Sequence, residues 1–197
     1  MYLYIDTTHE ITIGLLDKSF AWLGYEHFTS KKSSAILHYK IHKMLSANDL
    51  EIKDVAGIIS SAGPGSYTGV RVSEGFKDIM NWQGLETYSF YHFNIPMYLK
   101  HSKGCWVAKA FKGEFFIYTW DENEGSKSLI KESKLEGHVS KVPIYSSYES
   151  YNFENVQLTK DLILNNSSEL FSLIVSNKVN EDLYYFRSLD DEFERKK

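Results

Sequence analysis

Between Val55 and Gly84 the sequence changes from the period of a strand to that of a helix across a glycine loop. An apolar, β-branched run from Val55 to Ile59 reads as a buried strand. It enters Gly63-Pro64-Gly65-Ser66 and then a segment with helical spacing at Val72, Phe76, Ile79 and Met80. Ser66 or Thr68 can cap that helix, expected over 68–83, and Gly84 is placed to end it. Gly63 and Gly65 permit backbone angles and close approaches that a Cβ blocks, and Pro64 stiffens the corner. A strand, a glycine loop and a helix N-terminus can hold an anion on free N–H groups, or let the helix lie close on a sheet. No Lys-Ser/Thr follows the last glycine and the dinucleotide spacing is missing, so neither common phosphate loop is spelled out.

Three strands are expected ahead of this unit, at 2–6, about 10–16 and about 20–28, with turns at Asp6-Thr7-Thr8-His9-Glu10 and Asp17-Lys18-Ser19. A helix follows over 33–46, capped by Ser33 or Ser34, with Ile36, Leu37, Ile41, Met44 and Leu45 as its apolar set. His38 and His42 stand i, i+4 on it, a spacing that could hold a metal. With Lys40 and Lys43 between and beside them and no acidic third ligand near, they read instead as a solvated face, and no metal is expected. After the glycine unit come a short strand at 85–88 and a second helix over 89–101, with Pro96 near its start or kinking it. Cys105–Ala110 and Glu114–Trp120 alternate as a hairpin closed by Phe111-Lys112-Gly113. Strands at 127–131 and 142–146, a helix near 167–177 and a charged tail complete the chain.

With 197 residues, 43% of them hydrophobic and 15% aromatic, the chain can bury a core without disulfides. Its one cysteine, Cys105, sits in an apolar strand and reads as a small buried residue in a reducing compartment. The net charge of −4 is divided evenly: residues 1–99 hold 8 basic and 10 acidic side chains, the remainder 14 and 16. Neither half is a basic surface for nucleic acid. The start Met1-Tyr2-Leu3-Tyr4-Ile5-Asp6 has no basic leader, and no run approaches a membrane span, so a cytoplasmic protein is expected.

Gly63-Pro64-Gly65-Ser66-Tyr67-Thr68-Gly69-Val70-Arg71 resembles the GPGSFTGLR signature of the TsaB (YeaZ) family, with Tyr67 for Phe and Val70 for Leu. Members of that family are non-catalytic relatives of TsaD, the transferase subunit of the bacterial tRNA threonylcarbamoyladenosine machinery. The opening strand–turn–strand with Asp6-Thr7-Thr8 is similar to the start of the actin/sugar-kinase/heat-shock-protein (ASKHA) fold that TsaB shares. Gly113-Glu114 matches a family hairpin, although Lys109 and Phe111 replace its Asp and Arg. Leu183-Tyr184-Tyr185-Phe186-Arg187 resembles the family's closing Pro-x-Tyr-Leu-Arg. TsaD carries a metal-binding His-x-Glu-Gly-His after its glycine motif; here His38 and His42 precede the motif and lack the Glu-Gly.

The resemblance implies an α/β ASKHA fold with an N-terminal lobe over 1–101, a reduced C-terminal lobe over 102–189 and a tail over 190–197. It implies a subunit without catalytic residues or cofactor that pairs with a TsaD-like partner, is joined by a TsaE-like ATPase, meets tRNA through the complex and forms a homodimer when alone. The implied interface is the helix pair, through Ile41, Met44, Leu45, Gly69, Val72, Ser73 and Phe76; the alternative is that this face packs on its own sheet. In ATP-using ASKHA proteins the first turn orients a metal and meets phosphates. Asp6, Thr7, Thr8, Gly63, Gly65, Ser66 and Thr68 would therefore be a vestigial phosphate loop, or in the alternative the site of a small nucleotide-binding protein or ATPase. A protease is not expected, because no metal or nucleophile–base constellation is visible.

Overall fold

The computed structural model describes residues 1–29, 33–110, 113–122, 124–139, 142–147, 153 and 155–186. The caps expected from the Ser33 and Ser34 side chains, Phe111, Arg187 and the 190–197 tail lie outside the described residues.

Strands β1 (Tyr2–Asp6), β2 (Ile11–Leu16) and β3 (Trp22–Phe28) form an antiparallel meander. The Asp17 carboxylate holds its second turn by accepting from Ser19 N, Ser19 Oγ and Ala21 N at 2.8, 2.7 and 2.9 Å. Helix α1 (Ser33–Ser46) crosses over to β4 (Gly57–Gly63), which pairs in parallel with β1. Helix α2 (Tyr67–Trp82) then returns the chain to β5 (Glu86–Tyr91), parallel to β4. The sheet order is β3-β2-β1-β4-β5. Its middle strands are buried on both faces, which is why they read as continuous apolar runs. Leu3, Ile5, Ile13 and Ile58 pack under α1 and α2, while Tyr4, Ile59 and Phe90 pack under the helices α5 (Thr159–Asn165) and α6 (Ser167–Ser176).

The helix expected over 89–101 is a correction. Strand β5 runs on to Tyr91, because Ser89 pairs with Ser60 on one side and bridges to Asn180 on the other. Only Ile95–Tyr98 is α-helical (α3), with Pro96 in its first turn. A near-continuous apolar run carries no clear period, and sheet neighbours decided its form.

A second sheet, ordered β10-β9-β6-β7-β8, follows. Strands β6 (Lys103–Lys109) and β7 (Glu114–Asp121) make the expected hairpin, with Gly113 at φ 74. Strand β8 (Glu124–Lys131), helix α4 (Leu135–Val139), and the short parallel strands β9 (Ile144–Ser146) and β10 (Val156–Leu158) complete it. Cys105 is wholly buried in β6, and burial pushes its thiol up to about 12, so it is a core residue. Among the described residues no helix is long and apolar enough to cross a membrane.

After α6, residues 177–186 run as a strap along β5 and over the glycine loop, with Tyr184 N donating to Ala62 O at 2.9 Å. Lys127 of β8 fastens the strap: its Nζ lies 4.4 Å from the Tyr184 ring centre, 4.7 Å from Phe93 and 5.4 Å from Tyr91. Replacing Lys127 with Ala should cost about 1 kcal/mol. The check is the urea midpoint, with Lys131→Ala on the same strand as the control expected to change nothing.

Candidate functional site

Glycine loop and first turn lock into each other. Ser66 caps α2, its Oγ accepting from Gly69 N at 3.1 Å, while Ser66 N donates to Thr8 O at 2.7 Å. Thr7 Oγ1 donates to Gly69 O at 2.6 Å. A Cβ on Gly65 would lie 2.5 Å from Thr8 O, and one on Gly69 would lie 2.0 Å from Thr7 O. Gly63 takes φ 115, and a Cβ there would come within 2.4 Å of Tyr184 O. These glycines serve close approach of backbone to backbone: Asp6–Thr8 turn below, strap above. Of the residues named as a vestigial phosphate loop, Thr7 and Ser66 direct their hydroxyls into this contact, Thr8 turns its hydroxyl to Asp6, and Thr68 is exposed beside it. Tyr67 and Arg71 meet the strap too. Arg71 Nε donates to Tyr185 OH at 3.2 Å, and the guanidinium carbon lies 4.5 Å from the Tyr67 ring centre.

Asp6 is organised by a residue that sequence reasoning did not single out. His92 Nε2 lies 2.9 Å from Asp6 Oδ2, and both side chains are almost wholly buried. Asp6 Oδ1 accepts from Thr8 N at 2.9 Å and from Thr8 Oγ1 at 2.7 Å. The other ring nitrogen of His92 lies 3.2 Å from Thr159 Oγ1, which donates to Ser146 O at 3.2 Å. The network therefore ties β1 and the end of β5 to α5 and β9, sheet to sheet. Burial alone would push the Asp6 carboxyl up; the charge and hydrogen bond of His92, with the Thr8 hydrogen bonds, outweigh it and hold the group below its ordinary value. Next to it, Glu10 accepts from Thr29 Oγ1 at 2.9 Å and lies 2.6 Å from His27 Nε2, and His27 Nδ1 is 2.9 Å from Thr12 Oγ1.

This constellation is not a nucleophile triad. Asp6 and Thr8 both meet the same nitrogen of His92, whereas a triad puts acid and nucleophile on opposite nitrogens. Thr8 is also buried. The recess beside Asp6, His92, Glu10 and Lys160 is small, about 20 Å³, room for a water.

The helix pair is placed as expected, but the interface residues named from sequence need correction. Ile41, Met44, Leu45, Gly69, Ser73 and Phe76 are buried, and Val72 is half-buried. Ile41, Met44, Leu45, Val72 and Phe76 pack with Leu3, Ile5 and Ile58, since the apolar stripe of a helix on a sheet faces that sheet, and Gly69 lies against Thr7 O. The outward surface belongs to other residues: Trp82 is 92% exposed, Tyr39 63% and Ile79 50%. A Cβ on Gly75 would meet open space. Lys109, where the family pattern has Asp, is exposed at the end of β6.

No family model and no curated protein matches the sequence. Solved structures do. YeaZ from Pseudomonas aeruginosa is similar at 14% identity and TM-score 0.63, over 89% of this chain and 92% of that one. An uncharacterized protein described as similar to the peptidase YEAZ from Pseudomonas aeruginosa reaches TM-score 0.66 at 14% identity, over 93% and 99%. The chain shares the fold of YeaZ, an α/β fold built on two five-stranded sheets.

Proposed function

We propose that this chain is a TsaB-like companion subunit, without catalysis of its own, to a TsaD-like transferase in tRNA N6-threonylcarbamoyladenosine biosynthesis. The observation that carries the reading is the Gly63–Arg71 signature at the foot of α2 in a chain that shares its fold with YeaZ. The turn-on-turn packing around Gly65 and Gly69 supports a scaffold over a nucleotide-hydrolysing site. The companion role needs a surface, and the exposed face of α1 and α2 at Tyr39, Ile79 and Trp82 offers one. A TsaE-like ATPase would join the pair, with tRNA held through the complex, in the cytoplasm. A stable interface of this kind buries about 1,600 Å² in total.

The test is light scattering of this chain with a TsaD-like protein, followed by threonylcarbamoyl transfer to tRNA with and without it. A complex, and transfer dependent on the chain, are expected. Absence of both, with saturable ATP binding by the chain alone, would favour the nucleotide-binding alternative. Trp82→Ala should weaken the complex by about 2 kcal/mol, roughly 30-fold, with an unchanged melting temperature, because an exposed aromatic anchor carries binding and little folding energy.

A further inference from the structure

The two ends of the strap are held in different ways. Near Asn180 the backbone is anchored to β5: Ser89 N donates to Val179 O at 3.1 Å, Glu181 N to Ser89 O at 3.2 Å, and Ser89 Oγ to Glu181 O at 2.7 Å. Over residues 182–186, Tyr91 OH donates to Asp182 O at 2.8 Å and Tyr184 N to Ala62 O at 2.9 Å. Side chains supply much of the grip there. The Tyr184 ring centre lies 5.6 Å from those of Tyr91 and Phe116 and 5.8 Å from that of Phe93, and Phe186 lies 5.7 Å from Phe116.

Lys127 closes this second end, its ammonium set against rings from the end of β5, the turn after it and the strap itself. The contact exists only while the nitrogen carries its charge. The residue is nonetheless exposed, so a small reagent reaches the amine from solvent. Burial holds the Lys127 ammonium below its ordinary value, with Glu181 acting the other way, so more of it carries a free electron pair than on an open lysine.

What lies under the strap gives the latch a consequence. A Cβ on Gly63 would come within 2.4 Å of Tyr184 O, and Tyr185 covers Tyr67 and Arg71 at the foot of α2. Freeing 182–186 bares the glycine loop, while Ser89 keeps hold of the rest. We propose that Lys127 is an acylation site, and that acylating it unlatches residues 182–186 from the glycine loop. The donor is an acyl phosphate. The free Nζ pair attacks the acyl carbon, a C–N bond forms, and the C–O bond to phosphate breaks; inorganic phosphate leaves with the proton that the nitrogen gives up. The amide product is neutral and has lost its hold on the rings. The inference does not rest on the companion role and is tested on the chain alone.

Full-length chain is treated with acetyl phosphate, its modified lysines are mapped by peptide mass spectrometry, and amide exchange is read by NMR. Lys127 should be acetylated along with the exposed Lys131 of the same strand. The Tyr184 amide should then exchange about fivefold faster, and the Ser89 amide, at the anchored end, at its former rate. Lys127→Arg keeps a cation at the rings and should show no rise after the same treatment, whereas Lys127→Gln should show it untreated. Lys127 left unmodified while Lys131 reacts would overturn the proposal. So would a Tyr184 amide indifferent to acetylation or to Lys127→Gln, the same rise in treated Lys127→Arg, or an equal rise at Ser89.

Discussion

Replacing Gly69 with Ala should cost about 3 kcal/mol of folding stability, although alanine is the better helix former. The added Cβ would lie 2.0 Å from Thr7 O and 2.6 Å from Ser66 Oγ. Backbone must therefore move, and the hydrogen bonds available to loosen are those that hold the two turns: Thr7 Oγ1 to Gly69 O at 2.6 Å and Ser66 N to Thr8 O at 2.7 Å. Gly75, two turns along the same helix, faces open space, so Gly75→Ala should stabilise by up to about 1 kcal/mol. The pair of variants, measured by urea unfolding with equal slopes, separates packing from propensity. Equal stability of Gly69→Ala and the parent would mean that the first turn and the glycine loop do not meet, leaving the loop open to a ligand.

That contrast also marks where the sequence was legible. The meander, α1, the β4–α2 unit and the β6–β7 hairpin each carry a local period and local punctuation, and local signals suffice for them. The Schellman end of α2 is an example: Gly84 sits at φ 88 and Leu85 N donates to Met80 O at 3.1 Å, as a glycine after the last apolar turn suggests. Long-range pairing was not legible in that way. Strand β5 extends through Ser89–Tyr91 because the strap, some 90 residues on, lies beside it. The interface residues went astray for a related reason. An apolar stripe announces burial without saying against what, and here the chain's own sheet takes it. Exposed Trp82 and Ile79 were the better signal for an outward surface. His92 was missed because a lone histidine between Phe90 and Phe93 looks like any polar interruption of an apolar run. Only the fold brings it to Asp6.

His92→Leu should cost about 3–5 kcal/mol at neutral pH, the largest effect expected of any variant considered. It leaves the Asp6 carboxylate buried with Thr8 and, at 3.4 Å, the Tyr4 hydroxyl as its remaining donors. Replacing both members with apolar residues should recover part of the loss, since the penalty comes from the uncompensated charge. The double-mutant cycle should then show a coupling of about 2 kcal/mol. The pH dependence has a definite sign. Asp6 is held below its ordinary value in the folded chain, so its contribution is complete above the ordinary carboxylate range and is lost as pH falls through the lowered folded-state value. The stability gap between parent and His92→Leu should therefore stay wide at neutral pH and close in acid. Because the network reaches Thr159 and Ser146 as well, the variant should also loosen one sheet against the other, raising amide exchange in α5 ahead of β2. A gap that does not change with pH would show that His92 stabilises by filling space, and the sheet-to-sheet tie would then rest on packing alone.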